Sequence, residues 1–200
     1  MTQGRFIVIE GIDGSGKGTQ AEMLCQWLLE KGYDAALTTE PTEGEIGRLL
    51  RKGLGKGAFD PVTEALLFAA DRKVHTREIE DMMRAGRWVV CDRYLPSSLA
   101  YQGARGVELD WIREINRGSL DPDLLLILDI EPELALERIN SRRRRTEYFE
   151  RPGFLKKVRD LYLALGEGIV IDASKSAEEV HEDVKRAVSA VLRSAPQGRG

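Results

Sequence analysis

Residues 6–19 read FIVIEGIDGSGKGT. A short β-branched apolar run, Phe6 to Ile9, enters a glycine-rich turn, and Lys17 and Thr19 open a helical pattern. Strand, glycine loop and helix in this order form the setting in which a loop wraps its backbone N–H groups around phosphate. Gly11, Gly14 and Gly16 let the chain turn inward at Asp13, Ser15 and Lys17, and the following helix adds the partial positive charge of its N-terminus. Lys17 can reach the terminal phosphates of a nucleoside triphosphate as a mobile point charge. One position departs from the strict pattern, which places Ser or Thr directly after the lysine to ligate magnesium. Here Gly18 intervenes before Thr19. A flexible Gly/Ser turn with an exposed lysine is the alternative, and the strand before it and the helix after it argue against that.

The rest of the chain is compatible with an enzyme built around this loop. Its 200 residues suit one domain, spanning 1–194, with a small, polar, Gly-rich tail at 195–200 expected to be disordered. Hydrophobic residues make up 42% of it, and its net charge of −3 gives no general nucleic-acid footprint. The mean hydropathy of −0.32 is that of an ordinary soluble protein. Apolar stretches such as Leu124 to Leu128 run to about five residues, far short of the ~20 a membrane helix needs. No signal peptide is expected. Cys25 and Cys91 read as reduced core residues, which points to the cytoplasm.

Apolar strands alternate with helical patterns throughout. Strands are expected at Phe6–Glu10, Ala35–Thr39, Trp88–Asp92, Leu124–Asp129 and Ile169–Asp172. Helices are expected at 17–31, 44–54, 61–85, 96–103, 108–118, 131–144, 152–166 and 177–193. The near-continuous apolar strands predict a parallel sheet covered on both faces, a doubly wound α/β fold with its ligands beyond the carboxyl ends of the strands.

Three further segments carry chemistry. WVVCDRY (Trp88 to Tyr94) is a buried strand ending in Asp92, placed to hold magnesium directly or through water, and Arg93, a fork suited to a phosphate monoester. In EALLFAADR (Glu64 to Arg72), Phe68 and Arg72 share a helix face and can sandwich and hydrogen-bond a nucleobase. Read alone, Phe68 would be a core residue and Arg72 a surface charge. Finally, ERINSRRRRTEYFER (Glu137 to Arg151) concentrates arginines in a slightly acidic chain, where a lid at about 140–152 could bring them over a triphosphate.

With these residues in hand, the chain resembles the thymidylate kinases among the nucleoside-monophosphate kinases. The resemblance runs from about Phe6 to Val191 and is most specific at EALLFAADR, at VVCDRYLPSSLAYQG (Val89 to Gly103) and at DPDLLLILDI (Asp121 to Ile130). GSGKGTQ is equally similar to adenylate and UMP/CMP kinases, which also place Gly after the lysine. The resemblance implies a P-loop NTPase-type sheet of five parallel strands with a small arginine-rich lid, and transfer of the γ-phosphoryl group of ATP to dTMP. It implies that Arg138 and the loop from Gly11 to Thr19 hold ATP, that Lys17, Arg93, Asp92, Arg142 and Arg145 serve catalysis, and that Asp92 and Thr19 help hold Mg2+. Asp13 would face the sugar 3′-hydroxyl or the phosphate-side arginine. Pro41 would line the thymine pocket, Phe68 would stack on the base and Arg72 would bond its edge. Arg93 would hold the acceptor phosphate, Tyr101 would crowd the 2′ position, and Ser98 and Gln102 would lie near base or sugar. DASKSAEEV (Asp172 to Val180) resembles the loop against which adenine rests.

Where bacterial relatives often read REP, this chain has Thr39-Glu40-Pro41, so Arg48 or Arg51 is expected to supply the missing acceptor-side arginine. Homodimers are common in the family. The readings left open are another acceptor (UMP, dUMP or AMP) and a non-catalytic nucleotide switch. Against the switch, the chain has no NKxD motif for reading guanine.

Overall fold

The computed structural model describes residues 4–54, 57–142 and 151–194. Its centre is β1 (Phe6–Gly11), whose six residues are all buried. Neighbouring side chains on a strand point to opposite sides, so burial of every one means that both faces of the sheet are covered. β2 (Ala35–Thr39), β3 (Trp88–Asp92), β4 (Leu124–Asp129) and β5 (Ile169–Asp172) complete an all-parallel sheet of order β2-β3-β1-β4-β5. The register aligns Ile9 with Asp92, Thr39 with Asp92, Gly11 with Leu128, and Asp129 with Asp172. The carboxyl ends of the five strands therefore form one edge, from which the loops of the site rise.

Among the described residues, eight helices connect and cover the strands: α1 (Lys17–Glu30), α2 (Glu45–Leu54), α3 (Pro61–Arg84), α4 (Leu95–Ala104), α5 (Leu109–Ile115), α6 (Pro132–Arg142), α7 (Pro152–Ala164) and α8 (Ala177–Ser194). α1 packs against α8 and the central strands, while α4 packs against α3, α5, α7 and β1. Phe6, Ile7, Val8, Ile9, Leu24 and Leu126 are completely buried in the core between these groups. Both cysteines are free and buried there.

Most elements fall within a residue or two of their expected bounds. α5 does not: it stops at Ile115 rather than 118. Asn116 turns its side-chain amide back onto the Ile112 carbonyl at 2.8 Å, and Gly118 adopts φ +78, so the last expected turn becomes a tight reversal. α4 begins one residue early, at Leu95, because a carboxylate from β1 takes the N–H groups at its start. That carboxylate is Glu10.

Candidate active site

The glycine loop leaves β1 and enters α1 as the strand–turn–helix pattern requires. Gly14 has φ +85, and a Cβ on it would stand 2.3 Å from the Ala135 carbonyl oxygen, so the loop can lie against α6 only with glycine here. Gly16, at φ 90, caps α1 without a side-chain bond. The loop and α1 form one wall of a cavity of about 720 Å3 lined by Asp13 through Gln20, Asp92, Arg138, Ile139, Ser141 and the segment Lys175–Ala177 with Val180. Arg138 holds that last segment in place, donating to the carbonyls of Ala173 (2.8 Å), Ser174 (3.1 Å) and Lys175 (3.0 Å). Gly11 is not part of the cavity wall. It ends β1, packed against Leu128.

A second, smaller cavity of about 180 Å3 opens beside the first. Its walls include Pro41, Phe68, Arg72, Arg93, Ser98, Tyr101 and Gln102, and Asp13 lines both cavities. At that junction Asp13 forms an ion pair with Arg93, accepts the Tyr101 hydroxyl at 3.0 Å and lies 3.4 Å from Lys17 Nζ. Burial pushes the Asp13 carboxyl up, but the charges of Arg93 and Lys17 and the Tyr101 hydroxyl hold it below the usual carboxylate range. Lys17 is lowered as well, which in a lysine disfavours the charged form: burial and the nearby Arg93 charge lower its pKa, against the pull of Asp13, Asp92 and Glu10. The Arg93 guanidinium also stacks over the Tyr101 ring at 5.0 Å.

Arg72 is not a surface charge. It is wholly buried, with Nε 2.9 Å from Glu40 Oε2, Nη1 2.6 Å from Asn116 Oδ1 and Nη2 3.0 Å from Ser98 Oγ. His75 braces Glu40 from the other side at 3.0 Å. Phe68 is half-buried on the cavity wall. Ser98 and Gln102 are buried. The Oε1 atom of Gln102 has no hydrogen-bond partner among the described residues, while its Nε2 lies 3.4 Å from the buried Glu64.

The two arginines expected to replace the missing one lie elsewhere. Arg48 donates to the Glu43 carbonyl at 2.6 Å. Arg51 donates to the carbonyls of Pro41 and Thr42 and pairs with Glu43, and neither arginine lines the smaller cavity. Arg142 is the last residue of α6. Arg145 and most of the lid expected at 140–152 lie outside the described residues, as does the tail at 195–200.

Sequence reasoning did not find Glu10, Glu40, Asn116 or Tyr162. Each acts through a partner 32 to 152 positions away, and no local spacing marks them.

A parallel P-loop sheet in which a phosphate-binding loop and a separate base-sized pocket share one carboxylate defines a nucleotide-dependent phosphotransferase. The thymidylate kinase family model matches residues 9–184. A curated relative from Thermococcus onnurineus is 44% identical over 90% of this chain and 94% of its own. Others from Methanocaldococcus jannaschii (47%, over 92% and 95%) and Pyrobaculum aerophilum (47%, over 94% and 98%) are similar. All three carry the name probable thymidylate kinase. The chain belongs to the thymidylate kinase family.

Proposed function

We propose that this chain transfers the γ-phosphoryl group of ATP to dTMP, giving dTDP and ADP. The observation that carries the reading is the meeting of the two cavities at Asp13, with Lys17 on the larger side and Arg93 on the smaller. ATP is assigned to the larger cavity, with its phosphates in the loop Asp13–Thr19 and its adenine against the segment held by Arg138. dTMP is assigned to the smaller one, with its phosphate on Arg93 and its base against Phe68.

Thymine presents an N3–H donor beside the O4 acceptor. Arg72 offers a fixed guanidinium for O4, and the unpartnered Oε1 of Gln102 offers an acceptor for N3–H. Cytosine reverses both polarities and would leave buried groups unpaired, which is the costly kind of mismatch. Tyr101, held by Asp13, leaves little room at C2′ and favours deoxyribose.

The acceptor phosphate is its own nucleophile. With a second pKa near ~6 it is mostly dianionic at neutral pH and needs no strong base. The obstacle is repulsion between two polyanions, together with their alignment. Lys17 neutralises charge on the donor side and Arg93 on the acceptor side, each placed before the substrates arrive. Asp92 and Thr19 suit Mg2+: Asp92 Oδ1 is buried with no partner among the described residues, and its Oδ2 would lie 3.1 Å from a Cβ on Gly18 at the start of α1. Bound there, Mg2+ would offset the charge of the donor phosphates.

A homodimer is part of the same proposal. Val62, Leu66 and Val74 share one exposed face of α3, each 46–52% accessible, and offer an apolar stripe for a second copy. Light scattering on the purified protein tests this. Among the described residues, no helix is long and apolar enough to cross a membrane.

The phosphoryl transfer itself is tested by coupling ADP release to a spectrophotometric readout with ATP, Mg2+ and dTMP. Absence of ADP formation would remove the reading.

A further inference from the structure

Arg93 stands at the turn from β3 into α4 with φ +72, and it is the only non-glycine residue at positive φ among the described residues. A side chain in that region is held there by its surroundings rather than by its own preference. Here one group supplies much of the hold. Glu10, in the central strand, is completely buried, and both of its oxygens face this turn. Oε1 accepts the N–H of Tyr94 at 2.7 Å and that of Ser97 at 3.0 Å. Oε2 accepts the Ser97 hydroxyl at 2.6 Å and the Tyr162 hydroxyl at 2.8 Å. Arg93 Nη1 in turn donates to that same Ser97 Oγ at 3.1 Å.

The carboxylate thus grips the peptide that follows Arg93, the first turn of α4, and the hydroxyl on which the guanidinium rests. α4 has no side-chain cap from its own N-cap residue, so Glu10 supplies one from a neighbouring strand. A carboxylate is costly at this depth, and the other residues of the run Phe6–Ile9 are apolar. Glu10 does not line either cavity and touches no substrate position. Among the described residues its side-chain hydrogen bonds lead to the Arg93 turn, α4 and α7.

We propose that Glu10 is a positioning residue for phosphoryl transfer, fixing the left-handed turn and the Ser97 hydroxyl that aim Arg93 at the acceptor phosphate. This rests on the assignment of Arg93 to that phosphate.

Steady-state kinetics on wild type, Glu10→Gln, Arg93→Ala and the double variant test it, with circular dichroism and thermal melting as fold controls. Glu10→Gln keeps an oxygen for the two N–H groups but sets an amide against the Ser97 and Tyr162 hydroxyls. It should raise the dTMP KM about tenfold and lower kcat, with the ATP KM changed less than about twofold. In the Arg93→Ala background the same change should add nothing further, because the group it positions is gone. A merely structural weakening would lower Tm and the active fraction without moving the dTMP KM. An unchanged dTMP KM in Glu10→Gln, or effects that multiply fully in the double variant, would overturn the proposal while leaving the Arg93 assignment standing. If Arg93→Ala itself leaves the dTMP KM unmoved, that assignment falls first. Should Glu10→Gln not fold, Tyr162→Phe removes the hydroxyl that bonds Oε2 at 2.8 Å and lies 2.9 Å from Ser97 Oγ, and should show the same dTMP-selective rise, smaller in size; no rise would count against Glu10.

Discussion

Arg93 and Asp13, eighty positions apart in the chain, form an ion pair where the two cavities meet. The pair joins the turn after β3 to the phosphate loop after β1. The wall of one cavity is therefore built against the wall of the other. Replacing Arg93 with Ala should raise the dTMP KM and lower kcat, with a loss of about 1.5–3 kcal/mol in kcat/KM for dTMP, the size of a hydrogen bond to a charged group. Kinetics with each substrate varied in turn check this. A change confined to the ATP KM would put Arg93 on the wrong side of the reaction.

Lys17 tests the donor side. Among the described residues its ammonium has hydrogen bonds only at 3.4 Å, to the Ile12 carbonyl and to Asp13, and its surroundings disfavour its charge. The ammonium is held at a cost to the fold, and phosphate would restore what burial removes. Lys17→Ala should abolish turnover while Tm stays level or rises. A near-normal rate would contradict the assignment of the loop.

Arg72 and Phe68 both line the smaller cavity, but only Arg72 also holds the fold together. Arg72→Ala leaves Glu40 buried with only His75 beside it, and should destabilise the fold by about 3–5 kcal/mol in denaturant melts. Phe68→Ala should raise the dTMP KM with a much smaller loss of stability, because the ring is half-exposed on the pocket wall. Equal stability losses in the two variants would contradict this division of roles.

The pH dependence of stability has a definite sign at Glu10. Burial is the largest influence on it and raises its carboxyl above the ordinary value of 4.5, despite the hydrogen bond from Ser97 and the charge of Arg93. The folded chain therefore keeps this proton to higher pH than the unfolded chain. The stability this group contributes is present in full below pH 4.5 and is lost as pH rises through the raised folded value. The stability of wild type relative to Glu10→Gln should fall as the pH rises above 4.5 in urea melts. A flat difference would contradict a raised value.

Strands, helices and the phosphate loop could be read from the sequence because their signals are local. A β-branched run, a helical period and three glycines each act within a few residues. Asp92 and Arg93 could be read for the same reason, as polar residues ending an apolar strand. Arg72 could not be read alone. Its burial depends on Glu40, Asn116 and Ser98, which three separate elements bring together only once the sheet has formed. Glu10 looked like the end of a strand, and its partners on α4 and α7 are distant in the chain. Long-range satisfaction of buried charge leaves no periodic trace, so this layer of the site emerged only with the fold.

The central claim is that the smaller cavity selects dTMP as the acceptor of a phosphoryl group from ATP. The most direct measurement is kcat/KM across dTMP, dUMP, UMP, dCMP and AMP, with ATP and Mg2+ held saturating. The account predicts the highest value for dTMP, weaker use of dUMP, and strong rejection of dCMP, UMP and AMP. Preference for AMP or dCMP, or transfer to none of them, would contradict it.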